Sequence, residues 1–147
     1  MLGGMKNPTV VIDTREQTPW TSEGLRLQTV RAKLDTGDYS IEGLEDRVAI
    51  ERKSIDDWVG SIMGARKRFY RELDRMRAFD FRCVIIEGSV RDISKGLYTS
   101  RVNPAAVLAF IAEVAVAQSV PVYLAGSRPE AQILAGAFLR AAAGKLG

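Results

Sequence analysis

The chain has 147 residues, 46% of them hydrophobic and 27% charged, with 21 basic and 18 acidic side chains for a net charge of +3. That length supports one domain with its own core, and the mild positive charge fits a polyanionic partner without requiring one. The absence of histidine excludes Ser-His-Asp and Cys-His catalysis and any zinc site that needs imidazole, while the lone cysteine, Cys83, excludes an internal disulfide and fits a reducing cytoplasm.

Residues 1–8 read as an N-terminal tail with no apolar core of the signal-peptide kind, and Met5 is a second candidate start. Residues 9–147 read as one domain. No apolar run reaches the ~20 residues of a membrane helix, so a cytoplasmic chain without a membrane partner is expected. Thr9 to Ile12 (TVVI) is a short buried-strand candidate that runs into Asp13-Thr14-Arg15-Glu16. The C-terminal end of a buried strand is where α/β sheets place chemistry, but taken alone these charges fit a solvated strand end. Gln17 to Gly24 reads as a loop whose Trp20 is either a core plug or a surface contact. Leu25 to Leu34 alternates loosely, like a second strand, and Asp35 to Gly37 is a turn.

The stretch Gly37 to Lys53 (GDYSIEGLEDRVAIERK) carries the chemistry. Asp38 to Ile41 and Arg47 to Lys53 read as two strands of a hairpin turning around Glu42 to Asp46. In the second strand, alternation places Val48, Ile50 and Arg52 on one face and Ala49, Glu51 and Lys53 on the other. A carboxylate and an ammonium then project side by side, and the hairpin brings Asp38 near Glu51. Two carboxylates can hold a hard cation such as magnesium, and a neighbouring lysine can orient water or stabilise charge during hydrolysis of a phosphodiester. An ordinary surface Glu-Lys pair is the alternative.

Ser54 is an N-cap candidate for a helix carrying Ile55, Trp58, Val59 and Ile62, with a break expected near Gly64. Helical pattern resumes through Ala65 to Phe79, with Phe69, Leu73 and Met76 as its apolar stripe. From Arg66 to Arg77, six basic and two acidic residues give a local net charge of +4. Lys67, Arg68, Arg71 and Arg75 on the far side form either a solvated face or a track for DNA phosphates. Arg66 falls near the apolar stripe by angle and is expected to point inward.

Phe81 to Glu87 (FRCVIIE) reads as a central strand buried on both faces, which makes Cys83 a buried, inert thiol. Ser89 to Lys95 follows as a short helix and Gly96 to Val102 as a loop. Asn103-Pro104 starts a helix to about Ser119 that is apolar nearly all round and is expected to be buried, in this domain or between subunits. Val120 to Ala125 is a strand whose Pro121 marks its start or an edge. Ser127 and Glu130 cap a last helix ending near Gly144, with Ile133, Leu134, Ala137, Phe138 and Ala141 as its apolar face. Strands followed by helices imply an α/β domain with a mixed sheet, and the surplus apolar surface of the C-terminal helices implies a homodimer.

In this order, the chain resembles the nuclease domain of the XPF family of structure-specific endonucleases, which includes the archaeal Hef nuclease. Asp13-Thr14-Arg15-Glu16 is similar to the family's D-x-R-E signature, Gly37-Asp38-Tyr39 to its G-D-Y motif and Glu51-Arg52-Lys53-Ser54 to its E-R-K motif. Asp57 with Ser61-Ile62 resembles the following helix, Arg66 stands where an arginine follows it, and Val84 to Gly88 resembles the next strand. The resemblance implies a restriction-endonuclease-like fold, a central mixed sheet flanked by helices. It implies cleavage of DNA with magnesium or manganese at branched, flap or fork structures, in repair, recombination or phage DNA processing. By the same match, Asp38 and Glu51 are metal ligands, completed by the Arg52 carbonyl, and Lys53 positions water. Asp13 and Glu16 lie at the edge of the site for a second metal, and Arg15 and Arg66 contact phosphate or hold the acidic residues. Departures accompany the match. Gly64-Ala65 replaces an aspartate-glycine and Tyr70 replaces a glutamine four residues after the arginine, and the 147 residues are too few to include the family's tandem helix-hairpin-helix domain, as expected of a divergent branch or of a chain trimmed to its nuclease domain. DNA is then expected to be held by the dimer, by the Arg68, Arg71 and Arg75 face, or by a heterologous partner. A non-catalytic subunit of a nuclease pair and a purely structural interaction domain are the competing readings.

Overall fold

The computed structural model describes residues 7–147, so the tail expected over residues 1–8 lies almost wholly outside the described residues. The strands are β1 (Val10–Asp13), β2 (Thr29–Ala32), β3 (Tyr39–Ile41), β4 (Val48–Ser54), β5 (Phe81–Glu87) and β6 (Val122–Leu124). The helices are α1 (Ser22–Leu25), α2 (Ile55–Met63), α3 (Arg66–Met76), α4 (Val90–Ser94), α5 (Pro104–Ala117) and α6 (Arg128–Leu146). All six strands form one mixed sheet in the order β2-β1-β3-β4-β5-β6. β3 is antiparallel to both β1 and β4, whereas β1–β2, β4–β5 and β5–β6 are parallel. Among the described residues, no helix is long and apolar enough to cross a membrane.

Strand alternation divides the core in two. On one face Val10, Ile12, Tyr39, Ile41, Val48, Ile50 and Ile85 pack with Trp20, Leu25 and α6. On the other, Ala49, Val84 and Ile86 pack with Trp58 and Val59 of α2, Phe69, Leu73 and Met76 of α3, and Val107, Phe110 and Val114 of α5. The β4–β5 pairing runs the whole length of both strands, from Val48 opposite Phe81 to Ser54 opposite Glu87. β5 is an interior strand, paired with β4 on one side and β6 on the other, as the continuous apolar run in Phe81 to Glu87 implied.

Three expectations are corrected. Leu25 does not begin a strand: Thr21 caps a single helical turn that buries Leu25, and only Thr29–Ala32 joins the sheet. α5 is not buried all round. Only Val107, Phe110 and Val114 are fully covered, and Val116 is 81% exposed. Its alanines allow helix without demanding burial. In α6 the expected Leu134 and Phe138 do pack against the core, but Ile133 is 55% exposed and Ala137 and Ala141 face out, and the fully buried face is Ala131, Gln132, Ala135, Gly136, Leu139 and Ala142. The small residues bring α6 against α1, and a Cβ on Gly136 would collide with the Leu25 carbonyl oxygen. Gln132 is turned inward because its Oε1 accepts the Thr21 backbone N–H at 2.8 Å.

Candidate active site

The site forms where the start of β3 meets the second half of β4. Gly37 takes φ +79°, and a Cβ there would crowd Ala49 and the Ile50 carbonyl at 3.2 Å. That turn lets Asp38 sit tight against β4. The Asp38 N–H donates to the Ile50 carbonyl at 2.8 Å, and the Arg52 N–H donates to Asp38 Oδ2 at 2.8 Å. Two backbone bonds, on either side of Glu51 in sequence, thus hold the Asp38 carboxyl opposite it, within hydrogen-bond reach of the Glu51 carboxyl. Glu51 is 5% exposed, and its Oε1 is buried without a donor. Lys53 Nζ lies 3.6 Å from Glu51 Oε2 and 4.9 Å from the centre of the Phe69 ring. The structure therefore brings Asp38, Glu51 and Lys53 together.

Burial and like charge both act on these carboxyls. Burial pushes Asp38 up to about 7, opposed by the Arg52 N–H and reinforced by Glu16. Glu51 is raised well above the usual carboxylate range, first by burial, then by Asp38 and Glu72, with Lys53 only partly offsetting them.

Glu72 was not singled out in the sequence. It lies on α3, and its carboxyl is among the groups that raise Glu51 and Asp38 and that favour the charged form of Arg15. The signal was its position, three residues after Phe69 and four before Met76, which puts it on the inward side of an otherwise basic helix.

Arg52 points to the opposite face of the sheet, as alternation requires. Its guanidinium binds Glu16 at 2.9 Å and Glu87 at 3.1 Å. Trp20 stacks on Tyr39 with ring centroids 4.4 Å apart and donates from its indole N–H to Glu87, so it is a core plug. Tyr39 in turn donates its hydroxyl to Glu16 at 2.7 Å. Glu16 is thereby committed to Arg52 and Tyr39 rather than presented as a free ligand. Asp13 is committed too: Arg15 Nε reaches one oxygen at 2.6 Å and the Leu34 N–H the other at 2.9 Å. These contacts, with the guanidinium of Arg15 beside it, hold the Asp13 carboxyl below its usual range although burial opposes them. Both carboxyls thus tie the end of β1 and the loop after it to neighbouring segments, Asp13 through Leu34 and Glu16 through Arg52 and Tyr39. Arg15 holds Asp13 and keeps its side chain 69% exposed.

Lys67, Arg68, Arg71 and Arg75 are all exposed along α3. Arg66 is not turned toward the carboxylates. It pairs with Glu113 of α5 at 3.2 Å and lies over the Tyr70 and Phe110 rings.

The donor set fits a hard divalent cation: carboxylate oxygens, one of them buried and lacking a donor, with no sulfur or imidazole nearby. Among the described residues, no three acidic side chains are closed around a common point. The negative charges of Asp38 and Glu72 both act on Glu51.

Comparison with known proteins adds three findings. Residues 12–135 match the ERCC4 domain. Over 90 residues the chain is 32% identical to the 3'-flap repair endonuclease Xpf of Saccharolobus solfataricus, a match covering 58% of this chain but 36% of that protein. Two solved structures of XPF from Aeropyrum pernix superpose with TM-scores of 0.70 and 0.69 at 20% and 23% identity, the second being a complex with DNA. Each covers 90% of this chain, which spans 60% and 62% of the respective solved chains. The expected restriction-endonuclease-like architecture, a mixed sheet between helices, is the one observed.

Proposed function

Because the chain belongs to the ERCC4-domain family, as a nuclease domain of XPF type, we propose that it is a metal-dependent DNA endonuclease that hydrolyses backbone phosphodiesters. One observation carries this reading. Asp38, Glu51 and Lys53 converge at the end of β4, and a buried oxygen of Glu51 has no hydrogen-bond donor.

Asp38 and Glu51 would hold magnesium or manganese, with the Arg52 carbonyl as a further oxygen donor. The bound cation would supply Lewis acidity at a phosphate oxygen and favour ionisation of a water. Lys53, fixed over Phe69 and beside Glu51, orients the attacking water and offsets the negative charge that builds on the phosphate. The Arg52 backbone N–H keeps the Asp38 carboxyl aimed at Glu51, while its side chain ties β4 to Glu16 and Glu87. Arg15 stands at the rim with its guanidinium partly free for a phosphate. Lys67, Arg68, Arg71 and Arg75 offer a track to the DNA backbone. The relative's name supports a branched substrate such as a flap. A dimer would use the outer faces of α5 and α6, where Val116 and Ile133 are exposed.

The test is cleavage of labelled single strand, duplex, splayed fork, flap and nicked duplex with magnesium, manganese or EDTA, for the native chain beside Asp38→Asn. Metal-dependent cutting that the variant loses supports the proposal, and the panel reports the preferred structure. A folded native protein that binds these DNAs but cuts none would turn the reading to a non-catalytic subunit.

A further inference from the structure

We propose that Glu87, at the end of β5, is a positioning residue for the metal site of Asp38 and Glu51, acting through the Arg52 side chain. The inference rests on the metal-dependent reading above. Among the described residues the β3–β4 ladder ends at Tyr39 opposite Ile50, whereas β4 keeps its β5 neighbour as far as Ser54 opposite Glu87. Past Ile50, then, the β3 side of β4 is not braced by a strand. There the Arg52 N–H donates to a side-chain oxygen, Asp38 Oδ2, at 2.8 Å. The aim of Asp38, and of the Arg52 carbonyl, depends on how firmly this stretch of β4 is held. Its anchor is on the opposite face of the sheet. The Arg52 guanidinium donates from Nε to Glu87 Oε1 at 3.1 Å, and from Nη1 to Glu16 Oε2 at 2.9 Å and to the Thr18 carbonyl at 3.0 Å.

Glu87 is the fixed point of that anchor. Arg52 is opposite Ile85, so Glu87 stands two residues farther along β5 on the same face. Its side chain is 10% exposed, and both of its oxygens are engaged. While Oε1 takes Arg52, Oε2 accepts the Trp20 indole N–H at 2.9 Å and lies 3.8 Å from Arg128 Nη1. Arg128, the first residue of α6, also donates to the Thr18 and Pro19 carbonyls at 2.8 and 2.7 Å. Glu87 thus joins β4, α6 and the loop from Glu16 to Trp20, and the Thr18 carbonyl is gripped by Arg52 and Arg128 together. The arrangement commits Arg52, Glu16 and Glu87, each with a side chain no more than 16% exposed. Buried ion pairs of this kind are often no more stabilising than apolar packing. What this one fixes is the residue between Glu51 and Lys53.

Titration calorimetry of manganese alone, without DNA, tests the proposal on the full chain and on Glu87→Gln, Arg52→Gln, the double variant, Asp38→Asn and Gly136→Ala. Thermal melts in EDTA verify that each folds, and every titration is run below the lowest melting temperature. Glu87→Gln keeps the side-chain length and one oxygen but loses the charge and one of the two acceptors. Positioning predicts that it weakens manganese binding by about 10-fold or more, the range for lost outer partners of metal ligands. Arg52→Gln should do the same, and the double variant should bind no more weakly than Arg52→Gln alone, because the same tether is already broken. Gly136→Ala strains the contact between α6 and Leu25, so it reports on lost stability by itself and should leave manganese affinity unchanged. Equal weakening in Gly136→Ala would make the effect one of stability and sink the proposal. If Glu87→Gln binds manganese like the native chain while Asp38→Asn does not, the proposal falls and the metal site of Asp38 and Glu51 stands. Losses that multiply in the double variant mean that Glu87 does not act through Arg52, and they overturn the proposal as well. A native chain that binds no manganese overturns both readings.

Discussion

Removing one charge from the Asp38 and Glu51 carboxyls should make the metal-free protein more stable, and only above the pH at which they ionise. Asp38 has its carboxyl raised from 3.8 to about 7 by burial and by neighbouring acids. A group raised in this way contributes stability that is fully present below its unfolded value and is lost as pH rises through its folded value. The metal-free protein should therefore weaken progressively between pH about 4 and about 8. At about 1.4 kcal/mol per pH unit, the rise corresponds to roughly 4 kcal/mol, and sharing of protons with Glu51 brings the expected effect of one substitution to about 2–4 kcal/mol. Asp38→Asn keeps an oxygen for the Arg52 N–H and offers an amide donor to Glu51, so nothing is orphaned in exchange. For a domain of this size the gain is roughly 6–12 °C in melting temperature near pH 8. The assay is thermal unfolding in EDTA across this pH range, native beside Asp38→Asn. The native curve should fall with pH and the variant's should stay flatter, the two converging at acid pH. Manganese should then raise the melting temperature of the native chain and leave the variant nearly unchanged. Parallel native and variant curves at every pH would refute the reasoning, because they would mean that Asp38 carries no ionisation penalty in the fold.

Other substitutions probe separate parts of the molecule. Lys53→Ala should lower kcat by about 100-fold or more, in the range seen for lost electrostatic donors, with little change in manganese affinity by calorimetry; an unchanged kcat would reduce Lys53 to a packing role over Phe69. Reversing Arg68, Arg71 and Arg75 to Glu should weaken binding to duplex DNA and flatten its dependence on salt in an anisotropy titration. Unchanged affinity would return α3 to a solvated face. Gly136→Ala should destabilise by about 1–3 kcal/mol in urea unfolding, because the added Cβ meets the Leu25 carbonyl, which is backbone and cannot rotate away; a neutral result would show that α1 and α6 can part at little cost.

Much of the site was legible along the chain because its parts are local to one hairpin. The period of β4 alone assigns Glu51 and Lys53 to one face and Arg52 to the other, and the turn at Gly37 returns Asp38 beside them. Helix starts at Ser54, Ser89, Asn103 and Ser127 were likewise written in capping residues, each of which accepts a backbone N–H from its helix. Glu72 escaped notice because the carboxyl it acts on is on β4, twenty-one residues earlier in the sequence.

What the sequence determined by itself was the order of elements, the alternation of β4, and the residue types that suit a hard cation, since these depend on neighbours a few positions away. What only the tertiary structure decided was the choice among equivalent partners. Asp13 and Glu16 were charges at a strand end, and the fold pairs them with Arg15, Arg52 and Tyr39. Arg66 had the angle to point inward, yet Glu113 draws it to α5. α6 carried large apolar residues, and Leu134, Phe138 and Leu139 do pack inward, yet Ile133 is exposed and Ala131, Ala135, Gly136 and Ala142 are buried, with Gly136 close against the Leu25 carbonyl. Periodicity fixes which side chains share a face, but the atoms that meet that face come from distant segments, and their packing settles which contacts survive.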